Sequence, residues 1–309
     1  MAAFTAKDVQ ALREKTGAGM MECKKALVEA DGDMDKAVDV LRERGLAAAT
    51  KKASRIAAEG VVLAYYDEEK KVGVLVEVNS ETDFVAKNEK FKALVLGVAK
   101  TIVSENPADV EALTAMKFDG SEHTVAETFQ EAVLSIGENM KIRRFVRVEG
   151  VAATYIHAGG AVGVMVMFDT DDATAAKDEF KVMGKDVAMQ VAAMSPLYLD
   201  EASVPADVIE HEKEINLAQM KEDPKMANKP AQVLEKIVAG KMGKYFTEVC
   251  LMDQEFVKDS EYDVKGYVAS VAKKLGADIK VTGFYRYAKG EGLQKREDDF
   301  AAEVAGMMK

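Results

Sequence analysis

An internal repeat is the feature that most constrains how this chain can fold. The segment from Gly60 to Phe91 reads GVVLAYYDEEKKVGVLVEVNSETDFVAKNEKF, and the segment from Gly150 to Phe180 reads GVAATYIHAGGAVGVMVMFDTDDATAAKDEF. The two segments align without a gap until one residue is lost near the end. Because a repeated pattern folds into a repeated structure, we expect two related units that follow each other along the chain.

Each copy predicts the same local structure. Runs of β-branched and aromatic residues interrupted by a polar turn are typical of a β-hairpin, and a long amphipathic helix follows each hairpin. The expected hairpins join 61–66 with 72–78 and 151–156 with 162–168. The units then continue through a helix and a strand, near 123–136 and 142–148 in the first and near 264–275 and 278–287 in the second.

The segment before the first copy predicts a helical bundle. Residues 5–45 contain apolar positions at helical spacing and a capping pattern formed by Thr5 and Asp8, which predicts three short helices. Gly45 fits a C-terminal cap, and 46–58 would be a helical or flexible link. Since a bundle of about 40 residues buries little surface, we expect it to dock on another surface.

Prolines interrupt the second copy. Pro205 and Pro230 each suit the first turn of a helix. We expect antiparallel helices near 205–221 and 230–252 that form a projecting hairpin. The apolar positions of these helices could pair with each other or with a second subunit, so a homodimer through the hairpin is one alternative. A last helix near 296–308 would be either frayed or docked on a partner.

These patterns predict an α+β multidomain fold with a helical N-terminal bundle, two repeated α+β core subdomains, an inserted antiparallel helical hairpin and a C-terminal helix. A chain of 309 residues is long enough for several cores, because single domains commonly contain roughly 100 to 200 residues. The expected divisions are an N-terminal bundle and linker at 1–55, core subdomain 1 at 56–148, core subdomain 2 at 149–290 with the hairpin inserted at about 203–252, and a C-terminal helical module at 291–309.

The net charge disfavours binding to nucleic acid, and the hydropathy disfavours secretion and membrane spanning. The formal net charge is −11, with 53 acidic and 42 basic residues, so most of the surface would repel phosphate backbones. Direct nucleic-acid binding would need a local basic patch, for which 51–55 and 141–147 are the candidates. The N-terminus lacks the pattern of a signal peptide and no apolar run reaches about 18 residues, which disfavours secretion and membrane spanning.

Residue types that carry covalent chemistry are sparse. Cys23 and Cys250 are the only cysteines, which suits small buried side chains in a reducing compartment, so we expect a cytoplasmic protein. Phosphate-loop, dinucleotide-binding, zinc-protease and nucleophile-elbow motifs are missing, and the histidines are scattered. We therefore expect no enzymatic activity, no metal site and no cofactor. His157, near a hairpin tip, is either a surface contact residue or an ordinary turn residue.

The repeat itself identifies an unusual position. At the junction of strand and helix the first copy has TDFV at 82–85, whereas the second has DATA at 172–175. The shared fold therefore does not require an aromatic side chain there. Phe84 would point outward, because the valines of the hairpin and Leu94 already fill the core; the alternative is a ring packed on its own domain. Burial of an exposed ring by a partner could contribute roughly 1.5 to 3 kcal/mol to a complex.

Specific strings of residues are distributed over the whole chain. They are TAKDVQALREKTGAGMMECKKALVEADGD at the start, AAEGVV at the link, NSETDFVAKNEKF in the first copy, IGENMKIRR before the second, and KVTGFYRY and GEGLQKREDDFAAEVAGM towards the end. The most specific of them are TGAGMMECKKAL and TDFVAKN. Together they resemble the bacterial elongation factor Ts family, the exchange factors of the GTPase elongation factor Tu.

This resemblance implies a fold and a contact surface. The fold would have a ubiquitin-associated-type N-terminal bundle, two α+β core subdomains, a helical hairpin often used in dimerisation and a C-terminal helical module. The family's Asp-Phe pair, here Asp83 and Phe84, would enter between two helices of the partner's GTPase domain and disturb its magnesium and phosphate-loop region. The flanking residues of that turn are Thr82 and Val85. The further partner contacts implied are Arg13, Met20, Met21, His157 and Met307.

The function implied is that of a translation elongation factor, which binds GDP-bound elongation factor Tu and promotes release of GDP and entry of GTP without covalent chemistry of its own. Two other classes stay open at this level. An adaptor would use its N-terminal bundle only to tether partners, and residues 1–55 would then bind alone. A hydrolase with an unrecognised site would show turnover without any GTPase.

Overall fold

The computed structural model describes residues 4–16, 18–222 and 229–294, and it begins with a helical bundle. The helices are α1 (Ala6–Thr16), α2 (Met20–Glu29) and α3 (Met34–Lys52). The backbone N and Oγ1 of Thr5 donate to Oδ2 of Asp8 at 2.6 and 2.8 Å, which confirms the predicted start of α1. Leu12, Cys23 and Leu27 are fully buried between the helices.

The first core unit consists of a sheet covered by helices. Its strands β1 (Glu59–Asp67), β2 (Val72–Ser80) and β3 (Met140–Glu149) pair antiparallel in the order β1–β2–β3. The helices between β2 and β3 are α4 (Asp83–Lys87), α5 (Glu89–Glu105), α6 (Val110–Ala115) and α7 (Val125–Ile136). Val74, Val76 and Val78 are buried in one core with Phe91 and Leu94 of α5. The predicted hairpin and its core are confirmed.

Gly45 lies inside α3, where the sequence predicts a C-terminal cap. That prediction is wrong, because the helix continues to Lys52 and Gly45 serves helix packing instead. A Cβ at this position would lie 3.2 Å from the backbone oxygen of Gln130 in α7. The glycine therefore allows the two helix backbones to approach closely, and the start of the predicted link is helical.

The bundle docks on the first core unit along α7. Arg42 Nη2 donates to Glu127 Oε1 at 3.0 Å, and Lys52 Nζ donates to the backbone oxygen of Gly137 at 2.5 Å. Leu134 of α7 packs against the core of the bundle between these two contacts. The expectation that the bundle docks on another surface is confirmed, and α3 and α7 run side by side in the same direction.

The second core unit repeats the arrangement of the first. Its strands β4 (Val151–His157), β5 (Val162–Asp169) and β6 (Lys280–Ala288) pair antiparallel in the order β4–β5–β6. The helices between β5 and β6 are α8 (Asp172–Ala175), α9 (Asp178–Met194), α10 (Ala206–Glu222), α11 (Ala231–Val249) and α12 (Val264–Leu275). Both sheets change register at a matching place, between Glu77 and Val78 in β2 and between Met167 and Phe168 in β5. The fold is thus mixed α and β, with the repeated sequence folded twice.

α10 and α11 form the predicted helical hairpin. Met220, Val238 and Met242 are buried between them, so these apolar positions pair within the chain, while Ile215 and Val233 are exposed. The hairpin tip at 223–228 and the predicted last helix with Met307 lie outside the described residues. Among the helices of the described ranges, none has both the length and the hydrophobicity needed to cross a membrane.

The two sheets pack face to face. Leu75 of β2 and Met165 of β5 are fully buried between them, together with Val62 of β1. A Cβ on Gly163 would lie 2.5 Å from Cγ1 of Val62, so this glycine permits the close approach. Helices cover the outer face of each sheet, which gives the layer order helices, sheet, sheet, helices. β2 is covered on both faces, and each of its residues is buried.

A buried carboxylate, that of Glu77, ties the two units together. Its oxygens accept from Arg143 at 3.0 Å, from Arg144 at 2.7 Å and from the backbone N of Gly290 at 2.8 Å. Burial by itself would raise the pKa of Glu77, but the hydrogen bonds from Gly290, Asn79 and the arginines hold it below its ordinary value. Two arginines of the basic run at 141–147 are therefore engaged inside the protein.

Candidate functional site

Phe84 has the most exposed of the large apolar side chains in the described ranges. It is the second residue of the short helix α4, and 79% of its surface is accessible. The expectation that the ring points away from its own domain is confirmed. Exposing a phenylalanine to water is unfavourable, so a ring in this position is available for burial by another molecule.

The backbone around Phe84 is fixed by its neighbours. Thr82 caps α4, and its Oγ1 accepts from the backbone N of Val85 at 3.4 Å. The carboxylate of Glu138 accepts from the backbone N of Thr82 at 3.0 Å and from its Oγ1 at 2.6 Å. Val85 is only 7% exposed and belongs to the core. Of the four residues predicted for this contact, Asp83 and Phe84 face outward, whereas Thr82 and Val85 anchor the turn.

Asp83 is held by a lysine of the same helix. Lys87 Nζ lies 2.6 Å from Asp83 Oδ2 and 6.0 Å from the centroid of the Phe84 ring. The hydrogen bond from Lys87 lowers the pKa of Asp83, so this carboxyl is ionised at neutral pH. The turn therefore presents an apolar ring beside an exposed ion pair.

The methionine surface, defined here by Met20, Met21 and Val28, lies on the N-terminal bundle. Met20 is 44% exposed and Met21 is 63% exposed at the start of α2, and Val28 is exposed on the same helix. Arg13 is exposed on α1 of the same bundle. The predicted contact residues thus lie on separate parts of the fold, and the docking of α3 on α7 sets their position relative to Phe84.

His157 lies in the second core unit, at the end of β4. Its imidazole is exposed, and Nδ1 is 3.2 Å from the hydroxyl of Tyr155. Beside it, Ile156 and Gly159 line a shallow groove of about 310 Å³ with Leu96 of α5. Met307, the remaining predicted contact, lies outside the described residues.

The structure pairs the two turns of the repeat differently from the gap-free alignment. α4 begins at Asp83 and α8 begins at Asp172, so Phe84 corresponds to Ala173 and not to Thr174. Thr174 instead takes the buried position of Val85. The lost residue therefore lies at the end of β5, which has eight residues where β2 has nine, because each short helix must place its third residue in the core.

Sequence reasoning missed Glu138. The helices before the last strand of each unit, α7 and α12, both end at a glycine with left-handed backbone, Gly137 and Gly276. Glu138 therefore corresponds to Ala277 in the second unit. A comparison of GEN at 137–139 with GAD at 276–278 was the signal that could have identified it.

Cavities and reactive side chains elsewhere carry little chemistry. A cavity of about 480 Å³ near the turn between β1 and β2 contains Lys71, whose Nζ lies 2.5 Å from Oδ2 of Asp172. Burial raises the pKa of the Cys250 thiol to about 11, so that thiol stays protonated at neutral pH. Across the described ranges, no group of three or more His, Cys, Asp and Glu side chains is arranged to hold a metal ion.

Known proteins resemble this chain over nearly its whole length. A family model described as "Elongation factor TS" matches residues 81–291. Proteins named elongation factor Ts are 49% identical in Syntrophotalea carbinolica, covering 99% of both chains, and 49% identical in Trichlorobacter lovleyi, covering 98% of both. One in Clostridium perfringens is 47% identical and covers 98% of this chain and 99% of its own. The family model and these identities over almost the full length show that the chain belongs to the elongation factor Ts family of translation elongation factors.

Proposed function

We propose that this chain binds elongation factor Tu in its GDP-bound form and promotes the release of GDP and the entry of GTP. The observation that carries the proposal is the ring of Phe84, 79% exposed on a turn whose backbone is held from both sides. An exposed ring on a fixed turn can enter a pocket of a partner without first being ordered. No covalent step by this chain is needed.

In the proposed step, the turn that carries Phe84 enters the packed interior of the partner. Phe84 would insert between two helices of the GTPase domain, where burial of the ring contributes roughly 1.5 to 3 kcal/mol. The inserted turn would displace the magnesium ion that neutralises the phosphate charge, and GDP would then bind less tightly. Asp83, paired with Lys87, would order the turn or meet polar groups of the partner opposite it.

Reciprocity explains how the complex would come apart. A GTPase that binds nucleotide with nanomolar affinity gains about 12 kcal/mol, so its spontaneous release is slow. If this chain weakens nucleotide binding by some factor, nucleotide weakens binding of the chain by the same factor. Arrival of GTP would therefore expel the exchange factor, and the chain could act again.

Further contacts would position the turn on the partner. Arg13, Met20 and Met21 would touch a second helix of the GTPase domain, and His157 and Met307 would add contacts elsewhere. The docking of the bundle on α7 supports this division of roles, because the methionine surface and Phe84 belong to one connected body. The same docking disfavours an adaptor in which residues 1–55 act alone.

The remaining proposals concern the domain boundaries, the cellular location and the oligomeric state. Residues 1–55, 56–148, 149–290 and 291–309 would be the domains, and the protein would act in the cytoplasm without contacting nucleic acid or a membrane. A homodimer through the helical hairpin would use its exposed Ile215 and Val233. Concentration-dependent light scattering of the full chain and of an Ile215→Ser, Val233→Ser variant would test the dimer.

A stopped-flow measurement of labelled GDP release from elongation factor Tu tests the proposed function. The wild-type chain should accelerate release, and Phe84→Ala should abolish most of the acceleration while leaving the melting temperature unchanged. Leu197→Ala is the matched control, since Leu197 is also exposed, at 68%, but lies in the second unit. Equal rates for wild type and Phe84→Ala would contradict the proposal, and turnover of a nucleotide without the GTPase would favour a hydrolase.

A further inference from the structure

Glu138 lies in the loop between α7 and β3 and contacts the turn that carries Phe84. Both of its carboxylate oxygens are used on one residue: Oε2 accepts from the backbone N of Thr82 at 3.0 Å, and Oε1 accepts from Oγ1 of Thr82 at 2.6 Å. Thr82 is the cap of α4, two residues before Phe84. Glu138 thus holds the first residue of the turn by two hydrogen bonds, although it belongs to a different loop.

The loop that carries Glu138 is itself held in place. The backbone N of Asn139 donates to Glu81 Oε1 at 2.6 Å, and Asn139 Nδ2 donates to the backbone oxygen of Arg55 at 2.9 Å. Lys52 at the end of α3 donates to the oxygen of Gly137, the residue before Glu138. Bonds on both sides of Glu138 therefore fix it to the end of the bundle and to its linker.

The second unit shows that the fold does not need this contact. Ala277 replaces Glu138 there, and the cap of α8 is satisfied within its own turn. Asp171 accepts from the backbone N and the Oγ1 of Thr174, each at 2.8 Å. The unit with an exposed ring has the external carboxylate, and the unit without the ring has alanine.

External hydrogen bonds to the cap matter most for a very short helix. α4 has five residues and makes few backbone hydrogen bonds of its own, and the bond from the backbone N of Val85 to the Thr82 cap is long at 3.4 Å. Without Glu138 the turn would sample several orientations, and a partner would have to order it on binding.

We infer that Glu138 is a positioning residue for nucleotide exchange: it holds the cap of α4 so that Phe84 meets the partner in one orientation. This inference rests on the proposed exchange function and adds a residue that acts through Phe84. The role assigned to Glu138 is exerted through its contacts with Thr82.

The test compares Glu138→Ala, which copies Ala277, with Glu138→Gln. Glutamine can still accept from the backbone N of Thr82 and donate to its Oγ1, so it should restore most of the activity. Glu138→Ala should lower the maximal rate of GDP release roughly tenfold, with a smaller change in the concentration for half-maximal effect, because a loosened turn misplaces the ring. Glu122→Ala, which removes an exposed glutamate paired with Lys117, controls for the lost charge and should behave as wild type.

The double variant Glu138→Ala, Phe84→Ala decides whether Glu138 acts through the ring. It should be no slower than Phe84→Ala alone, since a misplaced ring and a missing ring have the same consequence. A wild-type rate for Glu138→Ala, or losses that multiply in the double variant, would overturn the inference. If Glu138→Ala does not fold, Glu138→Asp keeps the charge but shortens the reach, and a wild-type maximal rate for it would equally overturn the role.

A second measurement separates this inference from the proposed function. The chain contains no tryptophan, so Phe84→Trp introduces a single tryptophan at the turn, which can be excited apart from the tyrosines. Its anisotropy should fall when Glu138→Ala is added and stay unchanged when Glu122→Ala is added; an unchanged anisotropy in both would overturn the inference. A wild-type release rate for Phe84→Ala would overturn the exchange function, whereas a slow Phe84→Ala with a normal Glu138→Ala overturns only the role of Glu138.

Discussion

The turn after β2 and the turn after β5 derive from the same repeated sequence but expose different side chains. The first has a ring, Phe84, exposed to solvent, and its cap is gripped by a glutamate from a distant loop. The second has Ala173 at that position, caps itself, and uses Asp172 to pair with Lys71 of the other unit.

This difference separates what the fold needs from what a partner needs. Both turns require a capped start and a buried third residue, Val85 in one and Thr174 in the other. The second turn keeps its fold with neither an aromatic residue nor an external carboxylate. The features unique to the first turn are therefore the ones that function would select, and those unique to the second tie the two units together.

Among the positions at which the two units differ, Glu77 should have the largest effect on stability when it is substituted. Its counterpart in the second sheet is Met167. Glu77→Ala would remove the carboxylate that pairs with the half-buried Arg143 and would leave Arg144 paired only with Glu291, and we expect a loss of about 3 to 5 kcal/mol of folding free energy. Urea denaturation checks this, with Glu149→Ala at the exposed end of β3 as the control.

The same residue predicts a pH dependence. The folded state holds the pKa of Glu77 below its ordinary value, so its contribution is complete above the unfolded-state pKa and is lost as the pH falls through the folded-state value. The stability difference between wild type and Glu77→Ala should shrink below about pH 4. A difference that stays constant into acid would show that Glu77 does not titrate in this way.

Exchanging the turns gives the next largest effect. Thr82→Asp, Phe84→Ala and Val85→Thr together convert the first turn into the second, but they place a new carboxylate against that of Glu138. We expect this triple variant to lose roughly 1 to 3 kcal/mol, and we expect the addition of Glu138→Ala to restore most of it. Both variants should fail to accelerate GDP release. A triple variant as stable as wild type would show that the grip of Glu138 is weak.

A smaller effect is expected at the second turn. Lys71 and Asp172 are largely exposed, so Lys71→Ala should cost at most about 1 kcal/mol and leave GDP release unchanged. Thermal melting and the stopped-flow assay check the two halves of this statement. A slower release would mean that the second turn also serves the partner.

The smallest effect concerns the ion pair beside the ring. Lys87→Met removes the hydrogen bond that lowers the pKa of Asp83, so that pKa should rise towards the ordinary aspartate value. An NMR titration of the Asp83 carboxyl measures it, with Lys90→Met as the control, since Lys90 is exposed on the neighbouring α5. No rise would mean that the pair is not formed in solution.

Local patterns predicted most of the fold and the ring. The hairpins, the bundle and the helical insertion follow from periodicity and capping, which depend on neighbours in sequence. Phe84 could be identified because the repeat supplies an internal comparison: one copy keeps the ring and the other does not.

Contacts between distant segments could not be predicted in this way. Gly45 has the local appearance of a helix end, and only the approach of α7 reveals its use. Glu138 lies far from Thr82 in sequence, and nothing local indicates that its carboxylate caps the turn. The shift that pairs Phe84 with Ala173 depends on which residue enters each core, so the alignment alone placed it one residue away.

The parallel course of α3 and α7 has a mechanical consequence. Arg42 meets Glu127, Gly45 meets Gln130 and Lys52 meets Gly137, so the two helices stay in step over about three turns. A single residue inserted into α7 would rotate everything beyond it by roughly 100° and break that alignment. The distance between the methionine surface and Phe84 is therefore set by the pairing of α3 with α7, and we expect substitutions of surface residues to leave it unchanged.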